Sequence, residues 1–182
     1  MKKLAVLIVV ALAGLLLSCA DNTRNNNITT TTNGNWEAGF SGGTGPASLM
    51  GFVVQFSVTD TTGQANQPLD ITNFAFYNAG GCFATGKNEE TESGTATLTT
   101  NSSGQVTGTL DMVVKSDATG AALTLTGTGL TGTSSGTPTT TGTLSNGVAW
   151  GSWTLTPGSG PSACNASGTF IMCQGASTCT VP

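Results

Sequence analysis

Met50-Gly51-Phe52-Val53-Val54-Gln55-Phe56-Ser57-Val58-Thr59 is the stretch on which the fold turns. Met50, Phe52, Val54, Phe56 and Val58 recur at every second position, with Gly51, Gln55, Ser57 and Thr59 among the alternate ones. A period of two belongs to a strand with one buried face, because a helix would scatter these side chains around its axis. Asp60-Thr61-Thr62-Gly63 then ends the run as a turn.

The alternation continues outward from there. Residues 69–77 read as a strand, with Phe74 and Phe76 facing opposite Leu69, Ile71 and Tyr77. Residues 94–100 and 105–115 flank Asn101-Ser102-Ser103-Gly104 as a hairpin, with Val106, Leu110, Met112 and Val114 on one face. Leu123 and Leu125 alternate with threonines, and residues 130–133 and 139–144 read as weaker strands around Ser134-Ser135-Gly136. Asn146-Gly147 carries the strongest hairpin signal, since both residue types accept positive φ, and strands follow at 148–156 and 166–172.

This makes an all-β chain of roughly eight to ten strands. Connections so short make neighbours antiparallel, because a parallel pair needs a crossover of about a dozen residues or more. An up-and-down β-barrel is favoured over a β-sandwich because closure removes both sheet edges. Composition agrees: 34 threonines and 26 glycines stand beside only 8% charged residues. That balance disfavours a helical bundle and suits a pleated, half-buried surface.

Residues 1–18 read as a signal peptide, with the cationic head Met1-Lys2-Lys3 followed by an apolar run over residues 4–17. The run is shorter than the roughly 20 residues that span a bilayer as a helix. Leu16-Leu17-Ser18-Cys19 at its end resembles the lipobox of bacterial lipoproteins. The resemblance implies that Cys19 carries a thioether-linked diacylglycerol, that the signal is cut before it, and that acyl chains such as palmitate hold the protein to a membrane. Ala20 stands where that family carries Asp for inner-membrane retention, so the implied address is the outer membrane of the cell envelope. Two or three acyl chains anchor stably at about 0.8 kcal/mol per buried methylene. Residues 19–35 hold one sizeable apolar side chain, Ile28, and read as a lipidated flexible tether. Residues 36–182 form the β-domain.

Without the signal, Arg24, Lys87 and Lys115 face nine carboxylates, a net charge of −6. Such a surface cannot neutralise a phosphate backbone, which argues against nucleic acid as a partner.

Cys82, Cys164, Cys173 and Cys179 remain, an even number in an exported chain, and read as two disulfides with three possible pairings. Cys173 and Cys179 enclose only Gln-Gly-Ala-Ser-Thr, so a local clasp closes easily and leaves Cys82 for Cys164. No histidine is present and no CxxC pair, so no metal site is expected. Asn33-Gly34-Asn35-Trp36, Cys82-Phe83, Gln105-Val106-Thr107-Gly108, Asn146-Gly147-Val148, Gly151-Ser152-Trp153-Thr154-Leu155 and Ser167-Gly168-Thr169-Phe170-Ile171-Met172 are similar to uncharacterised Thr/Gly-rich bacterial lipoproteins. Such proteins carry a cysteine in each of the places of Cys82 and Cys164, which the resemblance therefore pairs. Cys173 and Cys179 depart from that pattern.

Gly39-Phe40-Ser41-Gly42-Gly43 and Gly132-Thr133-Ser134-Ser135-Gly136 fit GxSxG, but a nucleophile elbow needs a histidine. Gly127-Thr128-Gly129-Leu130-Thr131-Gly132 fits GxGxxG without a following helix, and residues 81–87 begin a P-loop that Asn88 breaks. Glu89, Glu90 and Glu92 read as a solvated loop. The expectation is a non-enzymatic domain without cofactor, in a structural or interaction role. One alternative is a binding module for a small apolar or glycan ligand in the barrel mouth, with Trp150, Trp153, Phe52 and Phe56 as lining residues. A second is a hydrolase built on two of Asp60, Asp70, Asp111 and Asp117. Trp150 and Trp153, three apart on one strand, are expected on opposite faces.

Overall fold

The computed structural model describes residues 29–32, 35–42, 50–59, 65–83, 90–135 and 142–175. Among them are nine strands: β1 (Thr29–Thr32), β2 (Trp36–Ser41), β3 (Gly51–Thr59), β4 (Gln67–Asn78), β5 (Glu90–Thr100), β6 (Gln105–Ser116), β7 (Ala122–Ser134), β8 (Gly142–Thr156) and β9 (Ala166–Gln174). The other regular piece among the described residues is a single 3-10 turn, Ser162–Cys164. Strands β2 to β9 pair antiparallel in chain order, and β9 returns to β2, closing an eight-stranded up-and-down barrel. Closure leaves no edge of β2–β9 for a ninth neighbour along their paired lengths.

Inward residues follow the alternation. Val54, Val106, Leu110, Met112, Val114, Leu123, Leu125, Leu155 and Met172 are buried in one continuous core. Outward positions carry threonine above all, as in Thr95, Thr97 and Thr99 of β5 opposite Asp111, Thr109 and Thr107 of β6. The apolar face is therefore inside and the polar face outside.

Bulges correct the expected phases. In β4, Gln55 pairs with Asn73 and Phe56 with Ile71, leaving Thr72 as an extra residue. One extra residue reverses the alternation. Leu69, Ile71, Phe74 and Phe76 thus share the inner face, and Phe74 and Phe76 do not oppose Leu69 and Ile71. In β7, Thr128 is extra between the Gly127–Gly151 and Gly129–Trp150 pairs, so residues 122–134 form one bent strand rather than two segments. The N–H of Gly127 at this bulge donates to Asp111 Oδ1 at 3.0 Å.

Asn146-Gly147 is not a hairpin turn. It lies inside β8, where Thr131 pairs with Val148 and Thr133 with Ser145, and Asn146 has φ 53°. The same positive-φ chemistry that closes a hairpin here makes a bulge. Gln174 spans it, accepting from the Gly147 N–H at 3.1 Å and donating to the Leu144 carbonyl at 2.7 Å.

The last part of the expected tether is also a strand. β1 pairs antiparallel with β3, Thr30 opposite Val58, and parallel with β8, Thr31 opposite Thr143. It fills the wall beyond the ends of β2 and β9, where β3 and β8 each offer a free row of backbone groups. Two such edges order a run of threonine that has no apolar face of its own. The β1–β8 pair is parallel, unlike every other pair in the wall.

The opposite end is stapled. Cys82 and Cys164 are joined, with Cα atoms 5.6 Å apart, tying the loop after β4 to the turn before β9. β4 and β5 pair only at Gln67–Ala96 and Pro68–Thr95. Phe83, buried and stacked on Phe76 with ring centroids 4.7 Å apart, brings this loop against the interior at the end where those two strands separate.

Candidate functional site

The aromatic residues divide between two places. Phe52 (0% exposed), Phe56 (3%) and Trp153 (1%) lie in the core. Trp153 meets Phe40 edge-on at 5.6 Å, Phe40 meets Phe52 at 5.9 Å, and Phe52 meets Phe74 at 4.9 Å, a chain of rings that fills the interior toward the disulfide. Trp153 Nε1 donates to the Ser41 carbonyl at 3.1 Å, so its polar atom is satisfied within the wall. At the β1 end Trp36 stacks on Phe56 at 5.3 Å, while Trp36 Nε1 and Thr100 Oγ1 are buried without a hydrogen bond.

Trp150 stands on the outer face, as its three-residue spacing from Trp153 requires. It pairs across strands with Ile171, and its ring lies over Gly129, the space a Cβ there would take. Beside it runs a groove of about 420 Å³, lined by Ser41, Thr128, Trp150, Ser152, Thr169 and Ile171 with the backbone of their neighbours. Ser41 Oγ and Thr169 Oγ1 share a hydrogen bond of 2.7 Å, and Thr128 Oγ1 donates to the Trp150 carbonyl at 3.3 Å. Among the described residues no ionisable side chain lines it. The four residues expected to line one barrel mouth are therefore not brought together: three fill the core and one faces solvent. Ile171, Ser152 and Thr169 carried no signal in the sequence, because cross-strand register decides what stands beside Trp150.

Further round the wall, Tyr77 is 57% exposed and lies over Gly51, with its hydroxyl donating to the Ala38 carbonyl at 3.0 Å. Burial of that hydroxyl end, and then the Glu37 carboxylate, raise its pKa.

The carboxylates are dispersed. Asp111 serves the β7 bulge, Asp117 accepts from Thr91 Oγ1 at 2.8 Å, and Asp70 sits exposed on β4 opposite Ser57. Asp60 and Glu89 lie outside the described residues, as do Cys19 and Cys179. Cys173 is disulfide-bonded. Among the described residues no three His, Cys, Asp or Glu side chains gather as a metal site.

Glu90 and Glu92 are not in a loop: they open β5, opposite the buried Ser116 and Val114. Their side chains thus take the inward phase at the barrel rim. Partial burial, and to a lesser degree the charge of Asp117, raise the pKa of Glu92 above its ordinary 4.5, against a backbone hydrogen bond that lowers it. A carboxyl raised on folding contributes stability while protonated and loses it as pH climbs from the unfolded value through the folded one. Glu92→Gln is therefore expected to be more stable than the parent at pH 7 and indistinguishable from it near pH 4. Urea midpoints at both values test this, and an equal difference at the two would refute it.

Comparison with protein-family models, with curated proteins and with solved structures gave no match to this chain.

Proposed function

We propose that the protein is a lipid-anchored, non-catalytic β-barrel of the cell envelope, held by acyl chains on Cys19 and acting through contacts on its outer wall. The observation that carries this reading is the division of the aromatics. Packed rings and leucines make up the described core, whereas Trp150 is left outside in a groove of about 420 Å³. Its ring, with Ile171 beside it and hydroxyls along the groove, is the group on the outer wall best suited to make a contact.

The wall itself supports attachment by lipid. A membrane-spanning barrel turns an apolar band outward, and this one turns out threonine. The lipobox-like Leu16-Leu17-Ser18-Cys19 supplies the attachment instead. In this arrangement the β1 end faces the membrane, because β1 begins ten residues after Cys19.

Metabolic labelling with radioactive palmitate tests the anchor. The parent chain is expected to label and to sediment with membranes, and Cys19→Ala to do neither. A Cys19→Ala protein that still takes up label would sink the reading.

A further inference from the structure

We propose that the groove beside Trp150 binds a neutral oligosaccharide; this rests on the reading that the outer wall is the contact surface, and names its ligand. Three features of the groove choose the class. The first is the ring. The Trp150 ring lies over Gly129, in the space a side chain there would take, and it stands next to Ile171. A plane held in this way offers the C–H face of a pyranose a stacking partner whose orientation costs little entropy on binding.

The second is the rim. Ser41, Thr128, Ser152 and Thr169 line the groove beside the ring with hydroxyls. Each hydroxyl has one donor and two acceptor positions, so the Ser41–Thr169 and Thr128–Trp150 bonds leave further capacity for a ligand's own hydroxyls. A sugar presents an apolar face and a hydroxyl equator together, whereas an acyl chain would leave this rim unpaired.

The third is that the described lining carries no charge. An anionic or cationic ligand would lose hydration there and gain no counter-ion. An extended peptide has no strand to join along β8 and β9, since Trp150, Ser152, Thr169 and Ile171 are each paired on both sides. What remains is an uncharged, hydroxyl-rich ligand with a flat apolar face.

The experiment uses the full acylated chain in detergent, with cellotetraose and tetra-N-acetylchitotetraose as probes. Trp36 and Trp153 are 0% and 1% exposed, so acrylamide quenching of the emission reports on Trp150. At least one tetrasaccharide is expected to protect Trp150 in a saturable way. By calorimetry Trp150→Ala should weaken that binding by roughly tenfold or more, and Trp150→Phe by less, because a ring that still stacks keeps part of the contact. Unchanged circular dichroism of both variants establishes that the fold is intact.

The proposal is overturned if neither sugar protects at concentrations on the order of 10 mM, or if Trp150→Ala binds like the parent. Tighter binding of a carboxylated tetrasaccharide than of its neutral counterpart would also overturn it. Cross-linking of a protein through a photoreactive residue at position 152, with no sugar bound, would assign the groove to protein contact and overturn it too. In each case a protein that still labels at Cys19 leaves the anchoring reading standing.

Discussion

Replacing Cys82 and Cys164 together by alanine is expected to lower the melting temperature by roughly 10 to 18 °C. The bridge closes a separation of 82 residues. Loop-closure entropy for such a span is worth about 4.5 kcal/mol in the unfolded-state model, and a domain of this size loses about 2 to 4 °C for each kcal/mol. The bridge also holds the Cys82-Phe83 loop at the end where β4 and β5 part. Without it the Phe76–Phe83 stack depends on its own contacts, so the variant should also bind a hydrophobic dye before the main transition. The double substitution is preferable to a reductant, which would also open the disulfide at Cys173. A melting shift below about 3 °C would show that the loop is held by packing alone.

Gly108→Ala is expected to cost about 3 kcal/mol or more, and Gly39→Ala to change stability by no more than about 0.5 kcal/mol. At Gly108 a Cβ would be driven into the Thr97 carbonyl of β5, with the Leu98 Cα at 3.1 Å. These are backbone atoms, so no side-chain rotation can relieve the overlap. At Gly39 nothing lies within 4 Å of the same atom. The two substitutions are chemically identical and both lie in strands, which isolates the effect of approach. Gly127, Gly151 and Gly168 repeat the situation against the carbonyls of Leu110, Thr126 and Ser41. Together they mark where β6 to β9 approach their neighbours' backbone too closely for a side chain. Denaturant midpoints that fall equally for both variants would remove this account.

These glycines show what could and could not be read from the chain. β3 and β6 were legible because their alternation is unbroken over the paired length. The phase of Phe74 and Phe76 in β4 is not legible because nothing marks Thr72, polar like Asp70 and Asn73 beside it, as the extra residue, and β7 reads as two segments because Thr128 continues the threonine alternation through its bulge. A threonine in a bulge looks like a threonine in a ladder. Asn146-Gly147 announced a positive φ, but that conformation serves a turn and a bulge alike, and only the Gln174 side chain and the pairing of β7 distinguish them. β1 has no apolar pattern at all; its order comes from the edges of β3 and β8. The opposite faces of Trp150 and Trp153 were legible from spacing within one strand. The groove was not, since Ile171 and Thr169 reach Trp150 only through the register of β9 on β8.

The placement of β1 bears on how a tethered barrel carries force. β1 runs inward from the tether, bonded to β3 on one side and β8 on the other. A pull on Cys19, in the arrangement proposed above, draws β1 along its own axis. Its bonds to both neighbours are then loaded together in shear, whereas a strand peeled from one edge gives up its bonds singly. With the anchor proposed above, such a pull would have to break the β1 bonds to both neighbours before it loads the β2–β9 seam.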